Sequence, residues 1–163
     1  MITEIKFAKI NEDAIIPTKR DEDGCYDIYA NFEEEYIAIQ PHQIKLIPTG
    51  LASACNSGYR MAVRDRGSNT KSGLITVAGQ IDSGYRGEWF IALFNINDVP
   101  VEITKNVDEV IKTEDYIRVP YSKAIAQFAL EIVPEACIKE ISFDELKEID
   151  SERGVGALGS SGK

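Results

Sequence analysis

Histidine and cysteine are scarce in this sequence. The 163-residue chain has one histidine, His42, and three cysteines, Cys25, Cys55 and Cys137, with no CxxC pair. A Ser-His-Asp triad, a HExxH zinc site and a multi-histidine metal site are all disfavoured by that inventory. Three scattered cysteines also argue against a zinc ribbon or a disulfide framework, and reduced thiols in a cytoplasmic protein are expected. Positive charge is the next deficit. Eighteen Lys and Arg against 27 Asp and Glu leave a net charge of −9. An acidic surface is a poor match for a nucleic-acid backbone, so no nucleic-acid partner is expected. A small anionic ligand remains allowed, provided local donors and a cation offset the repulsion. No apolar run approaches the roughly 20 residues of a membrane helix, and the mixed polar start, Met1 to Asn11, does not read as a signal peptide.

Short strands dominate what is present. Ile5–Ala8, Tyr36–Ile39, Ile44–Ile47, Tyr59–Val63, Leu74–Ala78, Glu88–Ile96, Val101–Thr104, Ala124–Val133 and Cys137–Phe143 are rich in β-branched and aromatic residues and bounded by turn formers. That pattern predicts an all-β fold, a distorted jelly-roll-like β-barrel with at most one short helix, placed at Asp144–Ile149 by its i, i+3 apolar spacing. Glu88–Ile96 is apolar on both faces and belongs in the core or at a subunit contact. Asn106–Tyr121 is charged, weakly patterned and predicted as a long loop. Residues 1–150 form one β domain. Residues 151–163, with four glycines and two serines between Arg153 and Gly162, form a flexible tail.

Five segments carry candidate chemistry. Gly24–Ala30 places Asp27 between Tyr26 and Ile28, where a buried carboxylate needs a donor or cation. Arg64–Gly73 gathers three basic groups, two glycines and four further side-chain donors, which suits a polyanion but is also the composition of a solvated loop. Gly79–Gly87 lies between strong strands as a loop longer than a hairpin needs. Its acid, Asp82, can act as a base on water, and Tyr85 offers a flat ring. Gln127 puts an amide into an apolar strand, where it needs a backbone or ligand partner. The tail combines close-approaching backbone amides with Ser160, Ser161 and Arg153.

Taken together and in this order, these segments resemble the five motifs of the homotrimeric dUTPases. Ile-Asp-Ser-Gly-Tyr-Arg-Gly at 81–87 and the Gly-Ser-Ser-Gly tail are the most specific. The resemblance implies Mg²⁺-dependent hydrolysis of dUTP to dUMP and pyrophosphate in a homotrimer. It implies Asp82 as the residue that activates water, and Tyr85 beneath the deoxyribose, excluding a 2′-hydroxyl. It implies the backbone of Gly79, Gln80 and Ile81 on the uracil edge, and Gln127 on phosphate. Asp27 would act on the metal through water. Arg153, Gly159, Ser160 and Ser161 would close over the phosphates, with Leu158 over the base.

Three positions depart from the family pattern. Counting back from Asp82, Asp65 falls where the family has Arg and Arg66 where it has Ser. Our reading is a local shift in which Arg66, Gly67 and Ser68 share those duties. Leu158 replaces an aromatic, and Ala124 replaces an Arg. Two other readings use the same fold: a dCTP deaminase-like enzyme, against which the 79–87 loop offers no glutamate, and a catalytically weak nucleotide-sensing or protein-binding trimer.

Overall fold

A computed structural model describes residues 3–155. Within them the chain forms β1 (Ile5–Lys9), β2 (Tyr26–Ile28), β3 (Tyr36–Ile39), β4 (Ile44–Pro48), β5 (Leu51–Cys55), β6 (Tyr59–Arg64), β7 (Leu74–Val77), β8 (Gln80–Asp82), β9 (Phe90–Asn95), β10 (Val101–Thr104), β11 (Ile111–Lys112), β12 (Ile117–Pro120), β13 (Ala126–Ile132) and one helix, α1 (Phe143–Lys147). A single 3₁₀ turn, Asn69–Lys71, follows β6. The strands assemble into four small sheets: β1-β5, β11-β12-β10-β3, β2-β13-β6-β8 and β4-β9-β7. Antiparallel pairing dominates; β10 and β12 alone run parallel among the described residues. This is the all-β, distorted jelly-roll-like architecture the strand pattern predicts, with one short helix.

The core is aromatic at its centre. Trp89 and Phe128 are fully buried, with ring centroids 5.5 Å apart, and Phe7 packs on both. Trp89 Nε1 donates to Ser53 Oγ at 3.0 Å, which supplies the partner a buried indole needs. Asn95 is fully buried too, and its amide donates to the Ile39 and Val99 carbonyls at 2.9 Å each, tying β9 to the β3 sheet.

Local pattern and structure part company in several places. Asn106–Tyr121, predicted as a loop, holds the β11–β12 pair. Arg118 fixes its register by donating to Glu102, its partner across β12 and β10, at 2.8 Å. Cys137–Phe143, predicted as a strand, is neither helix nor strand up to Ser142, because no strand edge among the described residues receives it; Ile138 is 96 % exposed. The helix starts at Phe143, one residue before the predicted Asp144, because Ser142 is its N-cap. Ser142 Oγ accepts from Glu145 N, and the Glu145 carboxylate accepts from Ser142 N, a reciprocal capping box.

Candidate active site

Paired residues on an antiparallel ladder share a face. The registers of β2-β13-β6-β8 therefore set three rows on its outer side: Asp27–Gln127–Arg64, Ala129–Ala62–Gln80 and Glu131–Arg60–Asp82. The inward rows carry Phe128, Met61 and Ile81. Four of the predicted site residues, Asp27, Gln127, Gln80 and Asp82, thus lie on one sheet face, with Asp82 at the opposite corner from Asp27.

The first corner is a cavity of ≈ 650 Å³ lined by Asp27, Arg66 and Gln127 together with Lys19, Arg20, Asp23 and Cys25. Arg66 lies just past the end of β6 and grips Asp27 with two guanidinium nitrogens, Nε to Oδ1 at 2.9 Å and Nη2 to Oδ2 at 3.1 Å. Such a fork is the geometry that also fits a phosphate. The loop carrying it is firmly held. Buried Asn69 donates to the Ile125 carbonyl at 2.6 Å, Thr70 Oγ1 to the Gly67 carbonyl at 2.6 Å, and Gln127 Nε2 to the Asp65 carbonyl at 2.8 Å. Gln127 thus has a backbone partner, and one amide hydrogen and its oxygen remain to face the cavity. Asp65 has a different task from Arg66: its carboxylate accepts from Thr76 N and pins β7. Ala124 is buried, and its carbonyl accepts from Arg66 at 3.4 Å. Gly67 and Ser68 are exposed beside Arg66.

The second corner is a smaller cavity, ≈ 230 Å³, lined by Gln80, Ile81, Asp82 and Tyr85 with Ala78, Glu88 and Phe90. Its construction differs from a simple hairpin loop. β7 and β9 pair with each other, yet β8, between them in sequence, leaves that sheet and pairs with β6. Ala78 makes the exit with a left-handed φ of 57°, a conformation costly for a residue with a Cβ. Gly79 follows because a Cβ there would lie 2.4 Å from the Val63 carbonyl oxygen. Gly79→Ala is expected to lower stability by about 2 kcal/mol, the cost of forced overpacking, and thermal unfolding checks it. β8 is the edge of its sheet, so one side of its backbone pairs with β6 while the other presents free N–H and C=O groups among the described residues. Asp82 is exposed, and its carboxylate makes no hydrogen bond or ion pair with the described residues. Its carbonyl accepts from Tyr85 N at 3.0 Å, and Tyr85 Oη donates to the Glu88 carbonyl at 2.9 Å.

The two cavities lie apart within one chain. Gln127 is opposite Arg64 and Asp82 opposite Arg60, four residues or about 13 Å along β6. Of the tail, Arg153 is described. Its amide and that of Gly154 donate to Ser151 Oγ at 3.3 and 3.1 Å. Leu158, Gly159, Ser160 and Ser161 lie outside the described residues. The sequence reading missed Lys19, Arg20 and Asp23, whose signal was two adjacent basic residues in an acidic chain. Asp23 lies below the usual carboxylate range because Arg20 hydrogen-bonds it. The reading also missed Glu131, held below that range by hydrogen bonds from Arg60 and then Arg64.

The structure is an all-β, jelly-roll-like protein with a polar, charge-paired cavity at one corner of a sheet and a strand edge beside a carboxylate and a tyrosine at the other, and the comparisons give its family. The sequence model of the dUTPase family matches residues 11–108. The deoxyuridine 5′-triphosphate nucleotidohydrolase of Nautilia profundicola is 34 % identical, with 98 % of this chain and 99 % of the relative covered. That of Clostridioides difficile is 33 % identical over 97 % of each. Among solved structures, Staphylococcus bacteriophage 80alpha dUTPase with dUpNHpp shares the fold at a TM-score of 0.74 and 24 % identity, covering 98 % of this chain and 99 % of that one. A mutant dUTPase from phage phi11 of S. aureus, whose structure details the coordination of a structural Mg(II) ion, gives 0.66 at 20 % identity, with 85 % and 96 % covered. The chain belongs to the dUTPase family.

Proposed function

We propose that this protein hydrolyses dUTP to dUMP and pyrophosphate with Mg²⁺. The observation that carries the reading is the second cavity. It joins a free strand edge, an unpaired carboxylate and a tyrosine in one place, and each matches one requirement of the reaction. The backbone around Gly79, Gln80 and Ile81 reads the uracil edge, with the unpaired side of β8 supplying donor and acceptor while the Gly79 carbonyl stays on Val63 N at 2.7 Å. The Asp82 carboxylate takes the proton of the water that attacks the α-phosphorus, while the bond to the β-phosphate oxygen breaks and pyrophosphate leaves. The Tyr85 ring closes the sugar side, and a 2′-hydroxyl meets it as a steric block.

Arg66, Gly67, Ser68 and Gln127 bind the phosphates. Arg153, Leu158, Gly159, Ser160 and Ser161 close over the bound nucleotide from the tail, an order given by the motif match. The donor set fits Mg²⁺ carried by the nucleotide rather than caged by protein. No group of three or more His, Cys, Asp or Glu is poised for a metal among the described residues, and Arg66 occupies both oxygens of Asp27. With Arg66 on both Asp27 oxygens and Arg20 on both Asp23 oxygens, Asp27 would act on a hydrated cation only through water. Bound Mg²⁺ neutralises the triphosphate and polarises the scissile bond.

One dUTP cannot use both cavities of one chain while its α-phosphorus stays beside Asp82, given their separation. A shared site between copies resolves this, and the chain offers surface for it. The outer face of β4-β9-β7 exposes Ile44, Leu46, Ile75 and Phe90, with Leu46 60 % exposed. Contiguous apolar surface of this kind marks an interface, and a homotrimer is the assembly we assign to it.

Pyrophosphate release from dUTP, UTP, dCTP and dTTP, each with Mg²⁺ and with EDTA, tests the reading. Metal-dependent release from dUTP alone is expected; ammonia from dCTP, or tight binding without turnover, would point to the deaminase or sensor reading. Tyr85→Ala is expected to raise UTP turnover relative to dUTP about tenfold, since a steric exclusion of this size is worth about that factor. An unchanged dUTP/UTP ratio removes the discriminating role.

A further inference from the structure

The carboxylate given the catalytic role stands next to an arginine that ignores it. Arg60 is the direct cross-strand partner of Asp82 on the outer face of the β6–β8 ladder. Side chains in that relation have Cβ atoms roughly 5 Å apart, and an Arg–carboxylate pair across such a ladder is the ordinary outcome. Here the guanidinium turns the other way. Arg60 Nε donates to Glu131 Oε2 at 3.1 Å and its Nη2 lies 3.0 Å from the same oxygen. The second Glu131 oxygen holds Arg64. Glu131 is the cross-strand partner of Arg60 on the opposite side, in β13. One row of the sheet therefore reads Glu131–Arg60–Asp82, with the central cation claimed by the first carboxylate and the last left open. Arg86, the cation of the 82–88 turn, donates to the carbonyls of Ser53, Ser83 and Tyr85.

We propose that Glu131 is a positioning residue for the hydrolysis: it holds Arg60 away from Asp82 and so keeps the Asp82 carboxylate free to accept a proton from water. The inference rests on the role assigned to Asp82 above. Its physical basis is a competition of two carboxylates for one cation. Glu131 wins because it accepts from two arginines at once, and a third charge in a network holds its partners better than an isolated exposed pair does. Remove the Glu131 charge and Arg60 turns to its other neighbour. A carboxylate engaged by a guanidinium has its lone pairs occupied and is a poorer base for water. Arg64 cannot substitute, because it stands four residues, or about 13 Å, farther along β6.

The test compares wild type, E131Q, R60M, E131Q/R60M and E131Q/R64M in dUTP turnover and in binding of dUpNHpp. E131Q is expected to lower kcat about fivefold, the factor an exposed ion pair is worth at its upper end. Its affinity for dUpNHpp stays at the wild-type value, since the proposed change concerns the base and not the nucleotide contacts. Adding R60M restores kcat; adding R64M does not. R60M alone keeps wild-type turnover, which holds the inference to account even if E131Q does not fold. A merely structural Glu131 would give a loss that R60M does not relieve, or one that appears in dUpNHpp affinity, and either result overturns the proposal. So does wild-type kcat in E131Q, or a large loss in R60M alone. A wild-type protein that releases no pyrophosphate from dUTP removes the proposed function itself; wild-type turnover with a neutral E131Q removes this inference alone.

Discussion

Asp82→Asn is expected to lower kcat for dUTP about 10³-fold, within the range that loss of a general base produces. The substitution is isosteric, so the Arg60–Asp82 register of β8 on β6 and the Tyr85 N to Asp82 carbonyl bond are retained. What goes is the one property an amide lacks, a lone pair basic enough to take a proton from water. The effect should therefore fall on kcat, with dUpNHpp binding near wild type, because in the proposed binding mode the base contacts come from the 79–81 backbone and the phosphate contacts from other residues. Asp82 has no partner among the described side chains, so no ion pair is broken to confuse the result. Steady-state kinetics with a pyrophosphate readout check it, and turnover within tenfold of wild type would remove Asp82 from the chemistry.

Arg66→Ala is expected to cost about 10² in kcat/KM, the scale of one charge-bearing donor lost from a phosphate-transfer site. Here the loss has two sources. The proposed phosphate site loses a cationic donor, and Asp27 is left a half-buried carboxylate without its bidentate cation. Arg66→Lys separates them. A lysine keeps the charge beside Asp27 but lacks the planar fork, so it should recover stability more fully than activity. Thermal unfolding and kcat/KM measured on the same two variants make the division. Full activity in Arg66→Ala would shift the phosphate role to Lys19 or Arg20, the other cations of that cavity.

Much of this was legible in the sequence because the informative features are local. Alternating β-branched and aromatic residues announce strands, and a motif such as Ile81–Gly87 carries its chemistry in consecutive residues. The features that escaped depend on partners far away in the chain. β8 reads as part of a hairpin loop because nothing in Gln80–Asp82 says that it leaves the β7–β9 pair for β6. β5, Leu-Ala-Ser-Ala-Cys, has weak strand propensity and is made a strand by β1. Cys137–Phe143 fails for the opposite reason: its composition is right, but no strand edge among the described residues receives it. Arg66 and Asp65 could be counted in either register from the sequence. In the fold Arg66 lies on Asp27 and Asp65 on the amide of Thr76, contacts no sequence count could show. Glu131 was invisible for the same reason as β8, since its tie to Arg60 spans 71 residues.

In the proposed assembly the Asp82 cavity of one copy and the Arg66 cavity of another serve a single dUTP. Coexpressing the Asp82→Asn and Arg66→Ala chains and measuring pyrophosphate release from dUTP tests it directly. Each chain alone is expected to be nearly inactive. Mixed assemblies should regain about a quarter of wild-type activity, because random association pairs an intact Asp82 with an intact Arg66 from another copy at that frequency. Activity no higher than the two parents would contradict the account, placing both residues in one chain's site or in no common site at all.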